Sequence, residues 1–252
     1  MSSILKSGAM AVILGSCLVT PTQAHHPWVL TNPGHTEAGT RASVRPYFGH
    51  KFPADEAMHP DRIAQLILLG ADGERIEIDR DALATPILTE GVHVIGLRQV
   101  RGYWSQTPDG GRPLPRAELD NAVSCAYSDN GAKTMVIVGT GGPSAAGMAL
   151  GHRLEILTDS DPAGRAAGEL LTIQVLFDGE PHAGPLLAFH AGSGEDPFEA
   201  TETAADGRAE IHLQGESPWL LLAHAEIDYA DPTVCDVERF YATLSFGTPA
   251  PR

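Results

Sequence analysis

Basic side chains are scarce in this chain. Seventeen Lys and Arg face 32 Asp and Glu, for a formal net charge of −15. Nucleic-acid binding needs a basic face to neutralise phosphates, so that class of partner is disfavoured. Cysteine is scarcer still, at three, and no Cys-x-x-Cys is present. After the first 24 residues no apolar run reaches the ~18–20 residues that a transmembrane helix needs. His-Glu-x-x-His and Gly-x-Ser-x-Gly are missing too. Gly139-Thr140-Gly141-Gly142 lacks the Lys-Ser or Lys-Thr and the amphipathic helix of a nucleotide loop. Asp159-Ser160-Asp161-Pro162 lacks the spaced Gly and Glu of a calcium loop and reads as a turn. No stretch holds helical periodicity and no tight internal repeat is visible. With these motifs absent, the chain is not expected to be an enzyme.

What is present begins with a leader. Residues 1–6 carry one charge, Lys6, residues 8–19 are apolar but too short to span a bilayer, and Thr22-Gln23-Ala24 sets small residues at a cleavage site. This is the pattern of a secretory signal peptide, and it implies a bacterial periplasm. A cut after Ala24 leaves 228 residues that start His25-His26-Pro27-Trp28. Leu14-Gly15-Ser16-Cys17 offers a rival cut, at a lipoprotein box that would anchor the chain through Cys17. After the first cut only Cys125 and Cys235 remain. In an oxidising compartment they are expected to pair. Such a bridge closes a long loop and ties the two halves together, with an entropic contribution of at most ~4–5 kcal/mol.

Strand signals dominate the rest. Residues 41–48 alternate, 63–69 form an apolar run closed by Ala71-Asp72-Gly73, and 92–97 and 134–138 are short β-branched runs. Residues 104–130 are rich in Pro, Gly and polar groups and read as a long connection with a short helix at 116–123. Thr140-Gly141-Gly142-Pro143-Ser144-Ala145-Ala146-Gly147 reads as a linker. Strand candidates follow at 154–157, 171–177, 185–190, 209–213, 219–225 and 240–246, with hairpin turns at Asp178-Gly179 and Asp206-Gly207. The expected fold is all-β: two immunoglobulin-like β-sandwich domains in tandem, at 25–139 and 149–252, joined by a linker at 140–148. The acidity is lopsided. Residues 25–148 hold 11 basic and 14 acidic groups, whereas 149–252 hold 5 and 18. Such a half attracts cations diffusely and keeps the chain soluble.

Several segments together resemble one family. They are Ala24-His25-His26-Pro27-Trp28, Phe48-Gly49-His50-Lys51-Phe52-Pro53 and Gly91-Val92-His93-Val94-Ile95-Gly96. In the second half they are Leu154-Glu155-Ile156, Val175-Leu176-Phe177-Asp178-Gly179-Glu180-Pro181, Trp219-Leu220-Leu221-Leu222-Ala223-His224 and Phe240-Tyr241-Ala242-Thr243-Leu244-Ser245-Phe246. In this order they are similar to the NikM-like domain-of-unknown-function family, described as a periplasmic component of cobalt or nickel uptake systems. Pro27 stands where members often carry a bulky residue, and 104–130 fits poorly. The resemblance implies a two-part β architecture, a nickel or cobalt ion, and membrane components of an uptake system as partners.

Histidines carry the candidate chemistry. A first-position His25 could clasp an ion between its amine and its Nδ1. The free amine has a reference pKa near ~8, so the ion must displace a proton. Imidazole suits nickel, cobalt, copper and zinc alike, and the affinity order favours Cu(II) in an open nitrogen site. His50 ends the first good strand, where sites commonly sit. His224 lies in a strand apolar on both faces, so it needs a buried partner, either a metal or Asp236 or Glu238. His26 could add a fourth ligand. The metal set is therefore His25, His26, His50 and His224, against a frayed terminus with solvated histidines. His35, His59, His93, His152, His182, His190 and His212 are poorer candidates. Two other readings stay open: a β-sandwich interaction module without metal, and a copper enzyme using the terminal His clasp.

Overall fold

The computed structural model describes residues 25–158, 165 and 167–247. The leader, Cys17 and the Asp159-Ser160-Asp161-Pro162 turn lie outside the described residues. In chain order the strands are β1 (His26–Asn32), β2 (His35–Thr36), β3 (Ser43–Gly49), β4 (Glu56–Ala57), β5 (Ile63–Leu69), β6 (Arg75–Glu77), β7 (Gly91–Gln99), β8 (Gly102–Thr107), β9 (Gly110–Arg112), β10 (Ser124–Ser128) and β11 (Gly131–Val138). They continue as β12 (Leu154–Thr158), β13 (Leu170–Phe177), β14 (Glu180–Pro181), β15 (Pro185–His190), β16 (Glu199–Glu202), β17 (Arg208–His212), β18 (Trp219–Asp228) and β19 (Val237–Phe246). Helix among the described residues is confined to two single 3-10 turns, Pro60–Arg62 and Arg116–Glu118. The fold is all-β. No described helix is long and apolar enough to cross a membrane.

A 12-stranded sheet has the main path β16-β15-β18-β19-β11-β7-β5-β6, with β2, β8, β9 and β10 paired beside it. Its inner strands are buried on both faces, which is why β7 and β11 read as near-continuous apolar runs. The segment 140–148 is not a break in this ladder. β11, from the first half, pairs in parallel with β19, from the second, with Gly131 opposite Ala242 and Thr134 opposite Ser245. A four-stranded sheet of β12, β13, β14 and β17 lies over one face. Between them packs a core that mixes Val94 and Met135 with Ile156, Ile173, Leu221 and Leu244. This is the sandwich of the second half, and its inner wall includes strands of the first. A three-stranded sheet, β1-β3-β4, packs on the opposite face of the 12-stranded sheet. One set of contacts runs from Val29 and Val44 to Ile95 and Val136, the other from Trp28 and Phe52 to Phe189, Leu220 and Leu222.

Residues 104–130 are an arm of paired strands and not a bare connection. β8 pairs with β9 and β10, and β10 runs parallel to β19. The helix expected at 116–123 shrinks to the turn Arg116–Glu118, which has no side-chain cap. Cys125 and Cys235 form the expected disulfide, with Cα atoms 5.0 Å apart. It pins the arm to the connection before β19. Beside it the Asp236 carboxylate accepts from the Cys125 N–H and from Arg116, both at 2.7 Å.

One ion pair is buried where the halves meet. Lys133 on β11 reaches Glu155 on β12 at 3.0 Å, and each side chain is 3% exposed or less. Glu155 also accepts from the N–H groups of Leu150, at 2.6 Å, and Gly151, at 3.0 Å. Burial pushes the Lys133 ammonium down. For Glu155 burial opposes ionisation, but the Lys133 charge and the Leu150 N–H outweigh it and hold the carboxyl below its usual range. The neighbouring His152 ring fills the space left by Gly131, where a Cβ would lie 2.5 Å from Nδ1. Burial pushes His152 down to about 4.

Two outcomes follow for stability. Lys133→Met strands a buried carboxylate and should cost about 3–5 kcal/mol in urea unfolding, whereas Lys133→Met with Glu155→Gln should recover much of that loss. The folded chain keeps His152 neutral down to about pH 4, while the unfolded chain protonates it near 6.5. The unfolded state therefore binds more protons in that window, and stability drops as pH falls through it, by about 3 kcal/mol. His152→Gln should flatten this slope in urea titrations run from pH 7 to 4.

Candidate functional site

The site grows from the register of two strands. β1 and β3 pair antiparallel with His26 opposite Gly49. One step beyond, His25 falls beside His50, as opposed residues on one face do. Their ring centres lie 4.9 Å apart at 75°, and the His25 ring stacks on Phe48 at 5.5 Å. Arg62 lies over the same Phe48 ring at 3.8 Å.

The turn that holds His50 is organised by one carboxylate. Asp55 accepts from the N–H groups of His50, at 3.1 Å, Lys51, at 3.0 Å, and Glu56, at 2.9 Å. This close approach requires Gly49, since a Cβ there would lie 2.2 Å from the Asp55 oxygen. Desolvation opposes the Asp55 charge, but these N–H groups outweigh it and hold its carboxyl below the usual range. Trp28, fully buried, donates its indole N–H to Pro53 O at 3.0 Å. The Phe52 N–H donates to Gly194 O at 2.9 Å, which draws a loop of the second half against the turn. Within that loop Glu195 sets a carboxylate oxygen 3.5 Å from His50 Nε2. The other nitrogen, His50 Nδ1, is shielded from solvent and has no hydrogen-bond partner.

The remaining candidates fall elsewhere for a simple reason. Successive residues of a strand face opposite ways, so His26 turns from His25 toward Trp28 and Tyr241, with ring centres 5.7 and 6.1 Å away. Tyr241 in turn stacks on His224 at 4.8 Å. His224 is half-buried on the central strand β18, and burial pushes its imidazole down. Its neighbours are Tyr241 and Glu226, not Asp236 or Glu238. Asp236 serves Cys125 and Arg116, and Glu238 binds Arg153 at 2.7 Å. His25 thus meets His50, and His26 and His224 flank Tyr241. Among the described residues no three His, Cys, Asp or Glu side chains gather closely enough to hold an ion. A centre on His25 and His50 would need its further donor from the chain terminus itself.

His93, in contrast, is a satisfied core residue. Its Nδ1 accepts from the Ala71 N–H at 3.2 Å and its Nε2 lies 2.7 Å from Thr89 O. Glu195 carries no local signal, because it reaches His50 only through tertiary packing. Asp55 has no standard turn signature either, since it accepts from N–H groups four and five residues upstream.

No curated protein sequence matches this chain. Solved structures with some likeness include the D0–D1 domain of intimin, at 12% identity and TM-score 0.23 over 88% of this chain and 97% of that one. Salmonella alpha-2-macroglobulin reacted with methylamine gives 10% and 0.24 over 88% and 15%. Fibronectin(III)-like modules of Clostridium thermocellum CbhA give 9% and 0.21 over 87% and 94%. Likenesses this weak carry no argument, and the all-β class stands on the strands themselves. One family model spans most of the chain, residues 22–227, and its description names neither a metal nor a transport role. By that match the chain belongs to the DUF4198 family, a domain of unknown function.

Proposed function

We propose that the chain, freed after Ala24 by removal of an export signal, binds one divalent transition-metal ion in the periplasm and serves its uptake. The donors are the His25 amine, His25 Nδ1 and His50 Nδ1. The observation that carries this reading is the cross-strand pair, with rings 4.9 Å apart and a shielded His50 nitrogen that lacks a partner. Two imidazoles at that spacing fit around one ion with metal–nitrogen bonds of about 2.0–2.1 Å. An open nitrogen set of this kind admits nickel, cobalt, copper and zinc. Nickel or cobalt is the choice that the NikM-like motifs favour. The disulfide agrees with an oxidising compartment, and the acidic second half favours cations at long range.

His26 and His224 stand beside Tyr241, and in this reading they are not needed for the clasp. Asp55 holds the turn and not the ion. A copper enzyme would use the same three nitrogens, and turnover of a substrate in the presence of copper would separate it from a carrier.

The test uses exported protein whose first residue is shown by mass spectrometry to be His25. Calorimetry with Ni(II), Co(II), Cu(II) and Zn(II) should give about one ion per chain for at least one of them. One added residue before His25, or His50→Ala, should each weaken binding by about 100-fold, because each removes a donor. Absence of binding for all four ions would overturn the proposal. Asp55→Ala should leave the donors in place but loosen the turn, weakening binding about tenfold. Amide exchange at His50, Lys51 and Glu56 should then quicken.

A further inference from the structure

We propose that Glu195 is a positioning residue that fixes the tautomer and orientation of His50, so that the second half of the chain completes a site carried by the first. This rests on the metal-binding reading above, and it explains one asymmetry of His50. A neutral imidazole carries a proton on one nitrogen and a lone pair on the other. At His50 the two nitrogens have opposite surroundings. Nε2 faces the Glu195 carboxylate at 3.5 Å, and Nδ1 is shielded with no hydrogen-bond partner. A proton on Nδ1 would be a buried donor without an acceptor, and it would leave a lone pair facing a carboxylate. A proton on Nε2 faces the negative oxygen and leaves the Nδ1 lone pair free for a cation. A carboxylate placed behind a ligand ring fixes its rotation and makes it a better donor.

The loop that carries Glu195 is built to hold it there. His190, at the end of β15, donates its N–H to Ser193 Oγ at 2.9 Å, and its ring Nδ1 accepts from the Gly192 N–H at 2.9 Å. The Ser193 N–H returns to His190 O at 2.9 Å. Gly194 then turns the chain in the left-handed region, at φ 64°, which suits glycine. Its carbonyl is the one that Phe52 grips. Three contacts therefore converge on His50. Asp55 holds its backbone, Glu195 holds its ring, and the Phe52–Gly194 link sets the distance between the two.

The experiment compares the chain beginning at His25 with its Glu195→Ala and Glu195→Gln variants. Nitrogen-15 NMR of the metal-free proteins reads the His50 tautomer directly. The proposal expects the Nε2–H form to dominate in the parent, to lose that dominance in Glu195→Ala, and to return largely in Glu195→Gln, whose amide oxygen can still accept. Calorimetry with Ni(II) alone should show 10–100-fold weaker binding for Glu195→Ala, and recovery of most of it for Glu195→Gln. Glu195 is exposed enough for both variants to fold, and near-ultraviolet dichroism checks that they do. An Nδ1–H tautomer in the parent, or an unchanged tautomer in Glu195→Ala, would overturn the proposal whatever the metal result. If the tautomer shifts as expected but the parent binds no Ni(II), Co(II), Cu(II) or Zn(II), the role of Glu195 on the ring stands and the metal reading fails.

Discussion

The last strand holds this protein together. β19 lies between β18, to which it runs antiparallel, and β11, to which it runs parallel. It also carries β10 on its N-terminal part. Without it the strands of the two halves would be separate ladders. β19 also seats the first strand. Thr243 Oγ1 donates to Pro27 O at 2.8 Å, and Ser245 donates its hydroxyl to Val29 O. These two buried hydroxyls tie β1 across the sheet, and the β1–β3 register then delivers His25 to His50. The geometry of the site is thus set by residues more than 200 positions away in sequence.

One ion pair is buried at the seam. Lys133 and Glu155 neutralise each other where β12 meets the sheet, and two backbone N–H groups complete the Glu155 shell. Replacing such a pair with apolar groups is often harmless, and removing one member is not. Its effect here is positional, since it fixes the segment that leads from the first half into the upper sheet. Asp236 does comparable work for the arm, joining the Cys125 N–H to Arg116 beside the disulfide.

Much of the strand content was legible. Alternation and apolar runs marked β3, β5, β7 and β11, and nearly all the long strands after residue 150. Asp178-Gly179 is the expected tight turn, with both residues at positive φ. β1 was not foreseen, because Pro27 interrupts its pattern. It is tolerated on the outer strand of a small sheet, where no further strand needs its donor. In the arm at 104–130 the β8–β9 hairpin around Pro108-Asp109 is local, but β10 is held by long-range partners, β19 and the disulfide, and has no signal of its own. The parallel β11–β19 pairing leaves no local trace at all. At the site, His25 and His50 were both named from the sequence, but their meeting depended on register. The alternation that sends His26 away from His25 follows only from β1 being a strand, which Pro27 masks.

In the proposed site a cleaved terminus and a cross-strand histidine share one ion. Electron paramagnetic resonance of the Cu(II)-loaded chain that begins at His25 tests it most directly, because coupled nitrogens can be counted. Three are expected, with one lost in His50→Ala. A spectrum unchanged by His50→Ala, or by one residue placed ahead of His25, would contradict it.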